Sequence, residues 1–185
     1  SQMKFLKFLI ISSIYIFILI RYFVNDGNKD LWGIIFDSFG INCLSAVYFL
    51  FLLIACKTTL PDGFHRIRGF EKSGRLYRIA GVKAFKFILA KNPLPLFTGK
   101  FSIKCHSIEC LYKLERQMRN SETLHFQAFI TTLIIMIPFT IFRDSRFLYY
   151  MPAFNILVNL YPALVQRYNR DRIDKILMNN MQVIG

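Results

Sequence analysis

The sequence is short of acidic residues: 11 Asp and Glu stand against 24 Lys and Arg, giving a formal charge of +13 and an isoelectric point near 9.8. Such an imbalance favours anionic lipid headgroups, phosphates or acidic carrier proteins as partners. Equally scarce are the motifs of common catalytic sites. Neither a nucleophile elbow nor a phosphate-binding loop occurs, so no motif supports a hydrolase or phosphotransferase reading. Glu-x-x-His occurs once, at Glu122 and His125, whereas a di-iron bundle needs it on two helices together with two further glutamates. Cys105, His106 and Cys110 match no standard zinc spacing and lack a fourth ligand. No metal or cofactor is read from the sequence. The four cysteines, Cys43, Cys56, Cys105 and Cys110, fall in apolar stretches or on the expected cytoplasmic side and are expected to be reduced. Internal repeats and low-complexity tracts are absent.

What the chain has in quantity is hydrocarbon. At 54% hydrophobic and 16% aromatic, with a mean hydropathy of +0.37, it is too apolar for a soluble domain of its length. A bilayer requires about 20 mostly apolar residues per helix, because backbone polar groups find no water there. Four stretches qualify, at about 5–24, 32–56, 124–142 and 147–165, with the interfacial region 57–123 between the second and third. The expected fold is therefore an all-α membrane protein, one integral domain of four transmembrane helices with an amphipathic, membrane-surface helical loop. The first stretch lacks a small-residue cleavage site and reads as an anchor. A nucleic-acid partner is not expected once lipid covers most of the surface.

Lys and Arg crowd the long connection from Lys57 to Arg119 and the tail from Arg167 to Lys175. The other two connections carry only Arg21 with Lys29 and Arg143 with Arg146. By the positive-inside rule both termini and the long loop are cytoplasmic, in a multi-pass protein of the cell membrane. Within the loop, Leu76, Ile79, Val82, Phe85 and Leu89 recur at helical spacing among basic residues, which predicts one interfacial helix over about 70–89. NPLPLFTG, residues 92–99, ends it, and a further helix is expected from near Ser102 into the third span.

Two polar groups stand out against this background. Glu122 and His125 share a helix face at the cytoplasmic mouth of the third span, extended by Glu115 and Arg119. A carboxylate beside an imidazole holds one tautomer and raises its basicity, as a general base for a hydroxyl requires; hydrogen bonding for packing alone is the other reading. In the fourth span Asn155, Asn159 and Gln166 are expected to form one inward polar stripe. It ends in QRYNR, Gln166 to Arg170. The short turn FRDSR makes these two spans antiparallel, so the polar groups are expected at one membrane depth.

Three blocks together resemble the glycosyl-diaponeurosporenoate acyltransferases, small integral membrane proteins of carotenoid synthesis that esterify a sugar hydroxyl on a glycolipid. QRYNR followed by Arg172 is similar to the family's QRYNRPR ending, with Asp171 in place of the proline. Glu122 and His125 resemble its Glu-x-x-His. Phe70, Glu71, Lys72 and Gly74, with Lys86 beyond, resemble its FEK-x-G block, with Ala84 where tryptophan is usual. The resemblance implies an O-acyltransferase that moves a fatty acyl group to a hydroxyl of a glycolipid or other lipid acceptor at the cytoplasmic face. Implied donors are acyl-coenzyme A, acyl carrier protein or phospholipid, and anionic membrane lipids are further partners. His125, oriented by Glu122, would be the base. Gln166, Arg167, Asn169, Arg170, Asn159, Glu71 and Lys72 would bind substrate, the arginines and Asn169 by hydrogen bonds to the developing oxyanion or to donor phosphates. The His-x-x-x-x-Asp signature of soluble-faced glycerolipid acyltransferases is absent, since His65 and His106 both lack the aspartate. A non-enzymatic partner of anionic lipid, or a lipid hydrolase or phosphotransferase, are the alternative classes.

Overall fold

The computed structural model describes residues 2–24, 30–91 and 107–184, leaving aside the side chains of 89–91 and 180–184. The described residues contain helices and no strand. In chain order these are α1 (Gln2–Val24), α2 (Leu31–Cys56), α3 (Asp62–His65), α4 (Arg75–Ile79), α5 (Val82–Lys91), α6 (Ile108–Phe142), α7 (Phe147–Asn155), a π-helical stretch (Ile156–Leu160) and α8 (Tyr161–Ile184). Four helical runs among the described residues, Gln2–Val24, Leu31–Cys56, Ile108–Phe142 and Phe147–Asn179, are long and apolar enough to cross a membrane. The last two run well past the expected span limits. Their apolar parts are continuous with polar helix, because nothing in SETLH or QRYNR breaks the backbone.

The chain divides into two compact units, Ser1–Thr59 with Thr123–Pro162, and Leu60–Glu122 with Ala163–Gly185. In the first, the Asp30 carboxylate caps α2 by accepting from the Gly33 N–H at 2.8 Å. Lys57, at φ 56°, ends α2 in a left-handed conformation, its N–H returning to the Leu53 carbonyl. Helices α1 and α2 join through hydroxyls and rings: Tyr15 stacks on Tyr48 with centroids 4.2 Å apart, and Tyr15 Oη lies 2.9 Å from Ser45 Oγ. Hydrocarbon gives no hydrophobic drive between helices, so close packing and such bonds hold them. Ile34, Ile41, Phe139, Phe147 and Met151 form the buried core, while Phe5, Phe17, Phe36 and Ile54 point outward.

The second unit departs from expectation in its first helices. The single interfacial helix is divided into α4 and α5 because Gly74 and Gly81 take positive φ of 66° and 70° and break the ladder. The apolar stripe is divided with it. Val82 is fully buried and packs with Tyr77 and Val165, whereas Leu76 and Ile79 are exposed. Leu89, the NPLPLFTG segment, Ser102, Cys105 and His106 lie outside the described residues or side chains. Leu111, Met118, Ile173 and Leu177 close a second apolar cluster between α6 and α8. Cys43 and Cys56 are free thiols, but Cys110 is disulfide-bonded and not reduced.

Candidate functional site: a buried arginine and carboxylate cluster

Arg167 and Arg170 are three residues apart on α8, so they share one face. Glu115 and Glu122 lie seven apart on α6 and share another, and Glu71 comes from the turn before α4. In the second unit these faces meet. Arg167 donates from Nε and Nη2 to the two oxygens of Glu71, at 2.6 and 3.1 Å, and from Nη1 to Glu122 Oε1 at 2.5 Å. Its remaining hydrogens go to the carbonyls of Phe64 at 2.9 Å and Arg66 at 3.0 Å. All five guanidinium N–H groups are thereby used. Arg170, only 2% exposed, donates to Glu122 Oε2, to Glu115 Oε1 at 3.1 Å and to the His65 carbonyl at 2.7 Å. Glu122 thus binds two arginines at once, one through each oxygen, while Arg167 meets Glu71 in the planar fork-to-carboxylate arrangement that Lys cannot reproduce.

Around this core the ionisation states follow from burial and partners. Burial alone would raise the Glu71 carboxyl, but bonds from Arg167 and from the Arg68 N–H bring it below the ordinary carboxylate value. The Tyr77 hydroxyl donates to Glu71 Oε1 at 3.1 Å. Burial and then the Glu71 charge push that phenol above its usual range. His65 is 1% exposed, with Nδ1 3.5 Å from Glu122 Oε2. Burial lowers its pKa, the Glu122 charge opposes this, and the Arg170 charge lowers it further. The ring stays neutral at pH 7. Lys86 Nζ donates to Asn169 Oδ1 at 2.9 Å, and the Asn169 amide nitrogen is buried without a partner. An orphaned donor of this kind costs about 1–3 kcal/mol.

The expected site residues separate into three sets. Glu71, Glu122, Arg167, Asn169 and Arg170 come together here. Lys72 has an exposed side chain and contributes only its carbonyl, to Lys175 Nζ at 2.9 Å. Gln166 is partly buried and takes no part in the cluster. His125 and Asn159 belong to the other unit. There Asn159 donates to Asn155 Oδ1 at 2.9 Å and to Asn42 Oδ1 at 3.2 Å, and Asn42 donates to the Met151 carbonyl. The His125 ring lies against the Asn159 side chain and the Val158 backbone, although its Nδ1 falls short of a formed hydrogen bond. Pro162 has no N–H for the carbonyl four residues back, which is that of Val158. Each member of the expected Glu122 and His125 dyad thus has its partners inside its own unit: arginines for the carboxylate, Asn159 and Val158 for the imidazole. The stripe Asn155, Asn159, Gln166 is also interrupted, since the π-helical stretch shifts the register after Asn159.

His65 and Tyr77 were missed as neighbours of the site. Arg167 reaches Glu71 across 96 residues and Phe64 across 103, and no local periodicity signals such contacts. Among the described residues no group of three or more His, Cys, Asp or Glu side chains is placed to hold a metal ion.

Long apolar helices that carry a buried, fully hydrogen-bonded arginine and carboxylate cluster make this a multi-pass, all-helical membrane protein, by length and composition. The chain belongs to the glycosyl-4,4'-diaponeurosporenoate acyltransferase family, which it matches over residues 61–179, more than half its length. That membership supports acyltransferase activity. Neither the curated proteins nor the solved structures contain a significant match.

Proposed function

We propose that the protein is a membrane-embedded O-acyltransferase, moving a fatty acyl group from an acyl donor to a hydroxyl of a glycolipid, with a carotenoid glycoside as the acceptor named by its family. The observation that carries this reading is the family match over 61–179, a stretch that holds Glu71, Glu122, Arg167 and Arg170. Both termini and the basic loop are assigned to the cytoplasmic side, where a polar donor meets a lipid acceptor. His125 is the general base, with Asn159 and Val158 in place of Glu122 as its orienting neighbours. The unpaired Nδ1 is consistent with a ring nitrogen kept for the acceptor proton. Arg167, whose donors are all spent within the protein, acts as a positioning residue with Arg170. Together they hold Glu71, Glu115 and Glu122. Asn169, Gln166 and Lys72 remain the groups assigned to substrate contact.

The reading is tested by reconstituting the purified protein in liposomes with a glycolipid acceptor and each donor class, and following the ester by mass spectrometry. His125→Ala is expected to lower turnover about 10²–10⁴-fold while leaving insertion intact. Full turnover in that variant sinks the base assignment, and no ester with any donor sinks the transferase reading. A cysteine placed in the Arg143 to Arg146 turn is expected to be labelled in intact cells; labelling only after lysis reverses the topology.

A further inference from the structure

In the second unit most buried or half-buried carboxylates have their cation. Glu71 and Glu122 hold Arg167, Glu115 and Glu122 hold Arg170, and Asp171 holds Lys175 at 2.6 Å. Lys86 does not fit this pattern. Its ammonium, half-buried on α5, has no carboxylate partner among the described residues and is satisfied only by Asn169 Oδ1. An ammonium has no lone pair to offer, so the amide orientation is forced: Oδ1 must face Lys86 and Nδ2 must face away. The consequence is a donor on a residue 1% exposed, with nothing to donate to. One helical turn beyond Asn169 stands Arg172, exposed and without a partner among the described residues, close enough for its charge to act on Lys86. Cations without a carboxylate partner and an unspent amide donor are what an oxyanion requires.

We propose that Lys86, Arg172 and the Asn169 amide nitrogen form a subsite for a phosphate ester. The proposal rests on the transferase reading only for its use: the subsite would hold the phosphate of the acyl donor. Two sources share that chemistry, the phosphates of coenzyme A in solution and the phosphodiester of a phospholipid. Asn169 fixes the direction of the Lys86 side chain, and its own Nδ2 gains an acceptor when the phosphate arrives. Arg172, reachable from outside, supplies the second charge. The Asp171 carboxylate next to it is held by Lys175 and does not repel the ligand.

The test uses the full-length protein in nanodiscs. One arm titrates coenzyme A into phosphatidylcholine discs by calorimetry; the other measures retention of phosphatidylglycerol over phosphatidylcholine by native mass spectrometry. One of the two probes is expected to bind, and Lys86→Gln should weaken it about tenfold or more, the loss of one charge-assisted bond. Arg172→Gln should weaken it less, and affinity should fall with added salt. Asn169→Asp should abolish binding by closing an ion pair on Lys86. Should that variant not fold, Lys86→Gln and Arg172→Gln, on half-buried and exposed side chains, carry the test alone. Loss of coenzyme A binding assigns the soluble donor, and loss of phosphatidylglycerol assigns the lipid. Equal affinity of wild type and both Gln variants for both probes, or binding of neither, overturns the subsite. Binding is measured without acyl transfer. A protein that binds but never forms ester refutes the transferase reading alone; one that forms ester with unchanged donor KM in Lys86→Gln refutes the subsite alone.

Discussion

Glu122→Gln is the sharpest perturbation of the cluster, because it removes one charge and leaves the shape. Glu122 is 1% exposed and accepts from both Arg167 and Arg170. Breaking a buried ion pair by deleting one partner costs about 3–5 kcal/mol, since the other charge is left buried. Here neither arginine is wholly abandoned: Arg167 keeps both oxygens of Glu71, and Arg170 keeps Glu115. The cost should therefore sit at the lower end, about 3 kcal/mol. For a chain of this size each kcal/mol lowers Tm by roughly 2–4 °C, so a drop of about 6–12 °C is expected. The assay is thermal unfolding of the detergent-solubilised protein. Glu115→Gln is the control. Its carboxylate is 16% exposed and meets each of its arginines through a single oxygen, so about 1 kcal/mol and a drop of about 2–4 °C should follow. Equal losses in the two variants, or a Glu122→Gln protein melting within about 2 °C of the parent, would refute the claim that Glu122 organises the cluster.

Acid should destabilise the protein in two stages, read from Tm against pH. His65 is held below its ordinary value of 6.5, so the unfolded chain takes up that proton first and stability falls as pH drops below about 6.5. Glu71 is held below its ordinary 4.5, so its contribution is whole above about 4.5 and is lost as pH falls through the lower folded value. His65→Gln should shrink the first stage and leave the second unchanged; an unchanged profile would refute the assignment. Two glycines make a second comparison by the same melting assay. Gly74 has open space for a Cβ but a φ of +66°, so Gly74→Ala should cost about 1–2 kcal/mol of backbone strain. Gly63 has equal space within α3 and no such φ, so Gly63→Ala should stabilise by about 0.5–1 kcal/mol. Effects of the same sign at both positions would rule out the conformational explanation.

The all-helical membrane class and the four apolar helices were legible in the sequence, because hydropathy is a sum over some twenty neighbouring residues and needs no knowledge of the fold. The continuous passage of polar helix into apolar span was also legible, from the lack of any proline or glycine between Ile108 and Ile137. Local spacing failed where the backbone changed direction. It ran one helix through Gly74 and Gly81, and it carried one stripe from Asn155 to Gln166 across a π-helical stretch. Spacing also paired Glu122 with His125, one turn away. Two arginines 45 and 48 residues distant hold the carboxylate instead, because it gains more from charge-assisted bonds to guanidinium groups than from an imidazole. The sequence by itself thus determined the solvent this chain lives in and the residues rich enough in hydrogen bonds to matter. Which of them face one another was decided by tertiary structure alone, since buried charges choose partners by distance in space, and Lys86 meets Asn169 across 83 residues of chain.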